Sequence, residues 1–205
     1  MPDDLTELDV RLRREAKALL SDRWLLALFA EYGTVHLSGS YALQLMTWRD
    51  LDIYMEAPNI TVDEYFELGR QIYRLLTPKK MHFNDHRENL LEGGIKGLYW
   101  GLYLGDERKG AWKIDLWTFD SATCRNRLMH NEGIRNRLTP ETRTAILEIK
   151  SLLWTHPEYR RSLASQMIYN AVLDAGVRDI EAFGVYVGDK LYAFVVEVRY
   201  VSSYF

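Results

Sequence analysis

The sequence predicts an α+β fold, a helical layer on a β-sheet followed by a mainly helical segment, and three observations carry that prediction. Residues 34–56 run in the order strand, tight turn, short helix, strand; residues 98–104 and 111–119 are rich in aromatic and β-branched side chains; beyond Asp120 apolar residues recur at helical spacing. A chain of 205 residues and 24.1 kDa suffices for one ordinary domain, or for a core with an annex, and is tight for two full domains. The expected division is a core with an N-terminal helix over 1–120 and a mainly helical C-terminal annex over 121–205.

From about Leu5 to Tyr32 an apolar stripe through Leu12, Ala16, Leu19, Leu20, Trp24 and Leu28 predicts one long helix, ended by Gly33. Thr34 to Ser38 reads as a short buried strand, Gly39 and Ser40 as a turn, Tyr41 to Met46 as a short helix and Leu51 to Glu56 as a second strand. Thr61 or Asp63 caps a helix that runs through Tyr65, Leu68, Ile72, Leu75 and Leu76 and stops at Thr77 and Pro78. Met81 to Asn84 is a candidate strand, followed by a charged, glycine-containing loop to Gly97, and Gly105 to Gly110 has the composition of a hairpin loop. In the annex, Thr139 and Pro140 supply an N-cap and a first-turn proline for a helix with Ala145, Ile146, Ile149, Leu152 and Leu153 on one face. A second helix is expected from near Pro157 to Gly176, burying Leu163, Met167, Ile168, Ala171 and Val172. Leu191 to Val201 alternates like a half-solvated strand, although its apolar start also suits a helix.

Composition removes several function classes. Hydrophobic residues at 47% and charged residues at 27% exclude wholesale disorder and a disulfide miniprotein. Lys and Arg number 26 against 29 acids, a net charge of -3, so the overall basic field of a nucleic-acid-binding protein is missing and nucleic acid is not the expected partner. The single cysteine, Cys124, has no second cysteine to pair with and no neighbours at zinc-site spacing, which fits a reducing compartment and speaks against a cysteine-based metal site. The N-terminus is acidic where a signal peptide is basic then apolar, and the run from Trp24 to Ala30 is too short to cross a bilayer. The expectation is a cytoplasmic protein with no membrane partner.

One stretch carries chemistry: Gly39 and Ser40, nine intervening residues, then Asp50, Leu51 and Asp52 entering a strand. A Gly-Ser turn that feeds a helix points backbone N–H groups and a hydroxyl outward, a seat for phosphate oxygens. In a strand, residues i and i+2 share a side, so Asp50 and Asp52 hold two carboxylates together while Leu51 and Ile53 enter the core. Adjacent carboxylates repel unless a cation neutralises them, and oxygen donors suit magnesium. Asp115 lies between Ile114 and Leu116 in the same apolar-acid-apolar pattern, and all three acids meet if the two strands are neighbours. The competing reading is a solvated strand face with no metal.

These residues resemble the DNA polymerase β-like nucleotidyltransferase superfamily, whose motif is a Gly-Ser turn, an Asp-x-Asp strand and a third carboxylate on a later strand. The match is strong over residues 34–119 and loose over the helical remainder, which looks like the annex of bacterial antibiotic-modifying members. The resemblance implies a core of mixed β-sheet with helices on one face. It implies two Mg²⁺ ions held by Asp50, Asp52 and Asp115, with Asp115 also a candidate base, and an NTP donor whose phosphates lie on Gly39 and Ser40. Lys150, on the first annex helix, stands where relatives often place a basic residue against the triphosphate; a solvent-facing lysine is the other reading. Arg49, directly before the first aspartate, departs from the small polar residue of many relatives and is expected either to pair with Asp50 or to contact phosphate.

The implied activity is transfer of a nucleoside monophosphate from an NTP to a hydroxyl acceptor with release of pyrophosphate. The short chain and its charge favour a small-molecule acceptor, for which Glu64, Glu92, Glu132 and Glu141 are equivalent candidates if the acceptor is polycationic. An antitoxin-like relative that binds or nucleotidylates a partner protein is the alternative. A glycosyltransferase explains only the two acids. Arg125, Arg127, Arg135 and Arg137 around His130 read as a loop-like basic stretch that either meets a polyanion or is plain solvated surface. Trp100, Trp112 and Trp117 read as core, and His82, Asp85 and His86 lack convincing metal spacing.

Overall fold

Leu51, Ile53 and Met55 alternate with polar residues, and that period of two makes Asp50–Glu56 a strand with one buried face. In the computed structural model, which describes residues 2–88 and 95–188, this strand is β2 of a five-stranded mixed sheet. The other strands are β1 (Thr34–Leu37), β3 (Lys80–Asp85), β4 (Leu98–Tyr103) and β5 (Lys113–Phe119), in the order β1-β2-β5-β4-β3. Among the described strands of this sheet only the central β2·β5 pairing is parallel. The helices are α1 (Pro2–Asp22), α2 (Leu25–Ala30), α3 (Gly39–Leu43), α4 (Val62–Leu76), α5 (Ser121–Arg137), α6 (Pro140–Leu153), α7 (Ser165–Asp174) and α8 (Ile180–Val187).

The chain forms two compact units. The first takes Arg11–Gln44 and Arg49–Gly133 and contains the whole sheet. One sheet face packs Leu51, Ile53, Met55, Ile114, Leu116 and Trp100 against Tyr65, Leu68 and Ile72 of α4 and against Ala16, Leu20, Leu25 and Phe29 of α1 and α2. Each such aliphatic side chain contributes roughly 2 kcal/mol by leaving water. Tyr65 is fully buried and spends its hydroxyl on the Leu116 carbonyl at 3.1 Å. Helix α4 starts on a capping box in which Thr61 and Glu64 each bond the other's backbone N–H, as the Thr61 expectation held.

The second unit comprises the described parts of Met1–Val10, Leu45–Trp48 and Ile134–Phe205. Helix α6 begins on Thr139 with Pro140 in its first turn, and Ile146, Ile149 and Leu153 are buried, as are Ile168 and Val172 of α7 and Phe183 of α8. Trp48 stacks on Trp154 at 5.7 Å, and the Arg160 guanidinium lies 4.8 Å over the Trp48 ring.

Several element expectations are corrected. The single helix expected over residues 5–32 breaks at Trp24, which takes a left-handed conformation with φ 57° and separates α1 from α2. The loop-like arginine stretch is helical throughout as part of α5, because long polar side chains support a helix that lacks an apolar stripe. The helix expected from Pro157 starts only at Ser165, after a turn that contains Arg160 at φ 70°. Helix α8 was not expected, and the expectation for 191–201 lies outside the described residues.

Candidate functional site

The sheet face opposite the core gathers the predicted acids. On β2, Asp50 and Asp52 point to this face while Leu51 and Ile53 are fully buried on the other. On β5, Lys113, Asp115 and Trp117 share it while Ile114 and Leu116 are buried. The parallel register sets Asp52 opposite Asp115 and Asp50 opposite Lys113. Two carboxylates of one strand and a third remote in sequence thus stand on adjacent strands, the juxtaposition on which their joint reading depended.

The turn between β1 and α3 is built against the same acids. The Ser38 N–H donates to the Asp52 carbonyl at 2.9 Å, and Gly39 follows with φ +53°. A Cβ at Gly39 would lie 1.8 Å from Asp52 Oδ2. Glycine is therefore required twice, by its left-handed backbone and by the carboxylate resting on its Cα. Ser40 occupies the first turn of α3, half-buried. Ser38 is fully buried, and its Oγ accepts from Asn131 Nδ2 of α5.

Lys113 is the residue of this acidic face that the sequence reading missed. Its Nζ is 3.2 Å from Asp50 Oδ1 and also contacts Asp115 Oδ2, and the side chain is 6% exposed against 20% and 14% for its partners. Burial opposes the ammonium charge, but the attraction of Asp50 and Asp115 outweighs it and raises the lysine pKa. The signal was present: Lys113 stands two residues before Asp115, hence on the same strand face. Tyr99 of β4 donates to Asp115 Oδ1 at 2.6 Å, and burial followed by the Asp115 charge pushes its phenol well above the usual range. Gly101, paired with Asp115 across the β4·β5 ladder, leaves space for that hydroxyl, since a Cβ there would come within 2.5 Å of Tyr99 Oη.

An aromatic row extends this face away from the acids. Tyr99 and Trp117 lie 4.7 Å apart and Trp117 stacks on Phe119 at 5.9 Å. Trp117 is half-buried on the outer face, not in the core as expected, whereas Trp100 is a core residue against Tyr65.

Other expected residues are placed elsewhere. Arg49 donates to Glu15 Oε2 at 2.7 Å and to the Gly110 carbonyl at 3.1 Å, so it braces α1 and the β4·β5 loop rather than pairing with Asp50. Lys150 is fully buried, its Nζ donating to the Leu45 carbonyl at 2.6 Å beside the Tyr169 ring, which removes the solvent-facing reading. Arg137 pairs with Asp174 in the helical unit. Glu64 and Glu141 are occupied by capping bonds to Thr61 and Thr139, and Glu92 lies outside the described residues. Asp85 pairs with Arg87, and His82 shares a bond with Asn84.

The residues fit a divalent cation. The donors are carboxylate oxygens, the arrangement hard cations prefer, and a cationic group, the Lys113 ammonium, already lies between two of them. The glycine turn, the acid pair on one strand and the third acid on the adjacent parallel strand lie in a five-stranded mixed sheet with helices, the α+β architecture that the sequence predicted, and the likeness to solved structures is one of fold. Among solved structures, a mutant of the Cid1 poly(U) polymerase bound to MgATP superposes with a TM-score of 0.53 at 13% identity, over 84% of this chain and 54% of that one. Terminal uridylyl transferase 4 from Trypanosoma brucei with bound GTP gives 0.43 at 15% identity over 82% and 55%. CdnC of E. coli with ATP gives 0.40 at 15% identity over 91% and 65%. The chain spans about half the length of the polymerase and transferase chains that it matches. No family model and no curated protein sequence matches it. Among the described residues no helix is long and apolar enough to cross a membrane.

Proposed function

We propose that the protein is a metal-dependent nucleotidyltransferase that moves a nucleoside monophosphate from an NTP to a hydroxyl of a small-molecule acceptor and releases pyrophosphate. The observation that carries this reading is the β2·β5 register, which sets Asp52 beside Asp115 with the Gly39 turn packed on Asp52. The MgATP bound by the Cid1 mutant supports a magnesium-bound triphosphate as donor. Asp50, Asp52 and Asp115 would hold Mg²⁺, two ions by the superfamily resemblance, and the metal supplies charge neutralisation of the triphosphate and activation of the acceptor hydroxyl. Ser40 and the amides after Gly39 receive the terminal phosphates. Asp115 takes the acceptor proton, and Tyr99 fixes that carboxylate by donating to its Oδ1. Lys113 screens Asp50 from Asp115 before the donor arrives. Lys150 is assigned here to holding the helical unit together, on its bond to Leu45, rather than to the phosphates.

The net charge of -3 supports a small-molecule acceptor over an RNA end. The test is a titration of ATP, GTP, CTP and UTP with and without Mg²⁺, Asp50→Asn serving as control. Magnesium-dependent binding of one or more nucleotides, lost in the control, is expected; absence of binding to all four overturns the reading and points to a protein-binding scaffold.

A further inference from the structure

A second cluster of metal-ligating side chains lies on the outer sheet face, away from the three acids. His36 of β1, Glu56 at the end of β2 and Cys124 in the first turn of α5 bring an imidazole nitrogen, a carboxylate oxygen and a thiol sulfur all within 4.8 Å of one another. The sheet dictates two of the three. His36 pairs with Tyr54 and Thr34 with Glu56, so His36 and Glu56 are diagonal neighbours on one face of the β1·β2 ladder. Asp120 places the third, because its carboxylate caps the start of α5 by accepting from the Thr123 N–H at 2.7 Å, which fixes the turn that carries Cys124.

One observation beyond that geometry points to a ligand: His36 Nε2 is shut off from solvent and has no hydrogen-bond partner, a cost that native structures seldom leave unmet. A nucleophilic Cys-His-Glu triad is excluded by access, since Cys124 is 0% exposed and no substrate reaches its sulfur.

We infer that His36, Glu56 and Cys124 form a zinc site separate from the carboxylate centre. One sulfur, one nitrogen and one oxygen donor are a set that zinc accepts and magnesium does not. Tetrahedral zinc with its usual bond lengths holds its donors roughly 3.5 Å apart, so binding closes the cluster by about 1 Å, within side-chain rotation. Binding exchanges the thiol proton for the metal: Cys124 binds as thiolate, the proton goes to solvent, and the two anionic ligands balance the zinc charge. Glu56 also lines an open pocket of about 430 Å³ with Thr34 and Asn59. Glu56 lies four residues beyond Asp52, roughly 13 Å along the strand, too far for the two sites to share an ion. Zinc here fastens α5 to β1 and β2. The sequence reading found no partners for Cys124 because its partners come from strands remote in the chain.

Cobalt titration of the full chain tests this with a signal from one residue. The chain has one cysteine, so a near-ultraviolet thiolate-to-cobalt band reports Cys124 alone. The expected result is a band that saturates at one Co²⁺ per chain, is displaced by Zn²⁺, disappears in Cys124→Ser, and in His36→Gln needs at least about tenfold more metal. Asp52→Asn should leave it unchanged, which separates this site from the proposed catalytic one. Absence of the band in the native chain, or an equal band in His36→Gln, overturns the proposal; if Cys124→Ser does not fold, His36→Gln and Glu56→Gln decide by the same measurement.

Discussion

Lys113 and Lys150 are both buried, at 5% and 0% exposure, but the two units hold them differently. Lys113 lies on a sheet face between the carboxylates of Asp50 and Asp115, groups that a divalent cation can also claim. Lys150 is set into the helical unit, with its ammonium on the Leu45 carbonyl and beside the Tyr169 ring. A buried charge needs partners of one kind or another. Oxygens that suit an ammonium between two acids also suit a metal, so the first arrangement is exchangeable, whereas a backbone carbonyl next to an aromatic ring anchors the chain. The difference teaches that two buried lysines can be held by unlike partners, acids in one case and a carbonyl with a ring in the other, something that exposure alone does not separate.

The largest expected effect tests the exchangeable side of this contrast. Asp52→Asn should lower magnesium-dependent pyrophosphate release by about a thousandfold while circular dichroism stays native; near-normal turnover would remove the acids around Lys113 from the chemistry. Lys113→Met should destabilise the metal-free protein by roughly 3 kcal/mol, because it leaves two acids facing each other. Urea unfolding with added Mg²⁺ should recover part of that loss, and no recovery would show that the ammonium and the metal do not compete for the same oxygens. Lys150→Met should cost roughly 2 kcal/mol for the orphaned Leu45 carbonyl, with no magnesium rescue. Rescue there would erase the distinction between the two lysines.

Two smaller effects sharpen the picture at its edges. Ser40→Ala is expected to raise the NTP KM about tenfold with little change in kcat, the loss of one bond to a charged phosphate. Glu67, on the exposed side of α4, is an internal standard for surface charge. Its bonds from Arg70 and then Gln71 lower its pKa to about 2 from 4.5. A depressed carboxylate stabilises the fold above its unfolded pKa and loses that contribution as pH falls. The wild type should therefore unfold at slightly higher urea than Glu67→Gln above pH 4.5, with the gap closing between 4.5 and 2.

Much of this was legible from periodicity. The acids of β2 and β5 were readable because strand alternation is strict, and Gly39 because a tight turn beside a carboxylate leaves glycine no substitute. The same alternation contained Lys113, which a reading centred on acids passed over. The break at Trp24 was not legible, since nothing about a tryptophan announces a left-handed backbone. Helix α5 lacks the apolar stripe that betrays a helix, and Lys150 shows how little a local pattern says about a side chain buried against a residue about a hundred positions away. The His36, Glu56 and Cys124 cluster has no spacing signature either, because three separate elements bring it together.

The Lys113–Asp50 pair joins residues 63 positions apart across the one parallel pairing of the sheet. Closing a loop of that length carries a chain-entropy penalty before any contact rewards it. The same closure also drives like charges together, since Asp52 meets Asp115 at the moment the strands align. The β5 strand brings its own cation into that meeting, the Lys113 ammonium against Asp50 and Asp115. Register is enforced along with it: a slip of one residue would turn Asp115 into the core and Leu116 out to water, and the sheet would fail to close. Lys113 is thus the counter-charge set among the acids that this register brings onto adjacent strands.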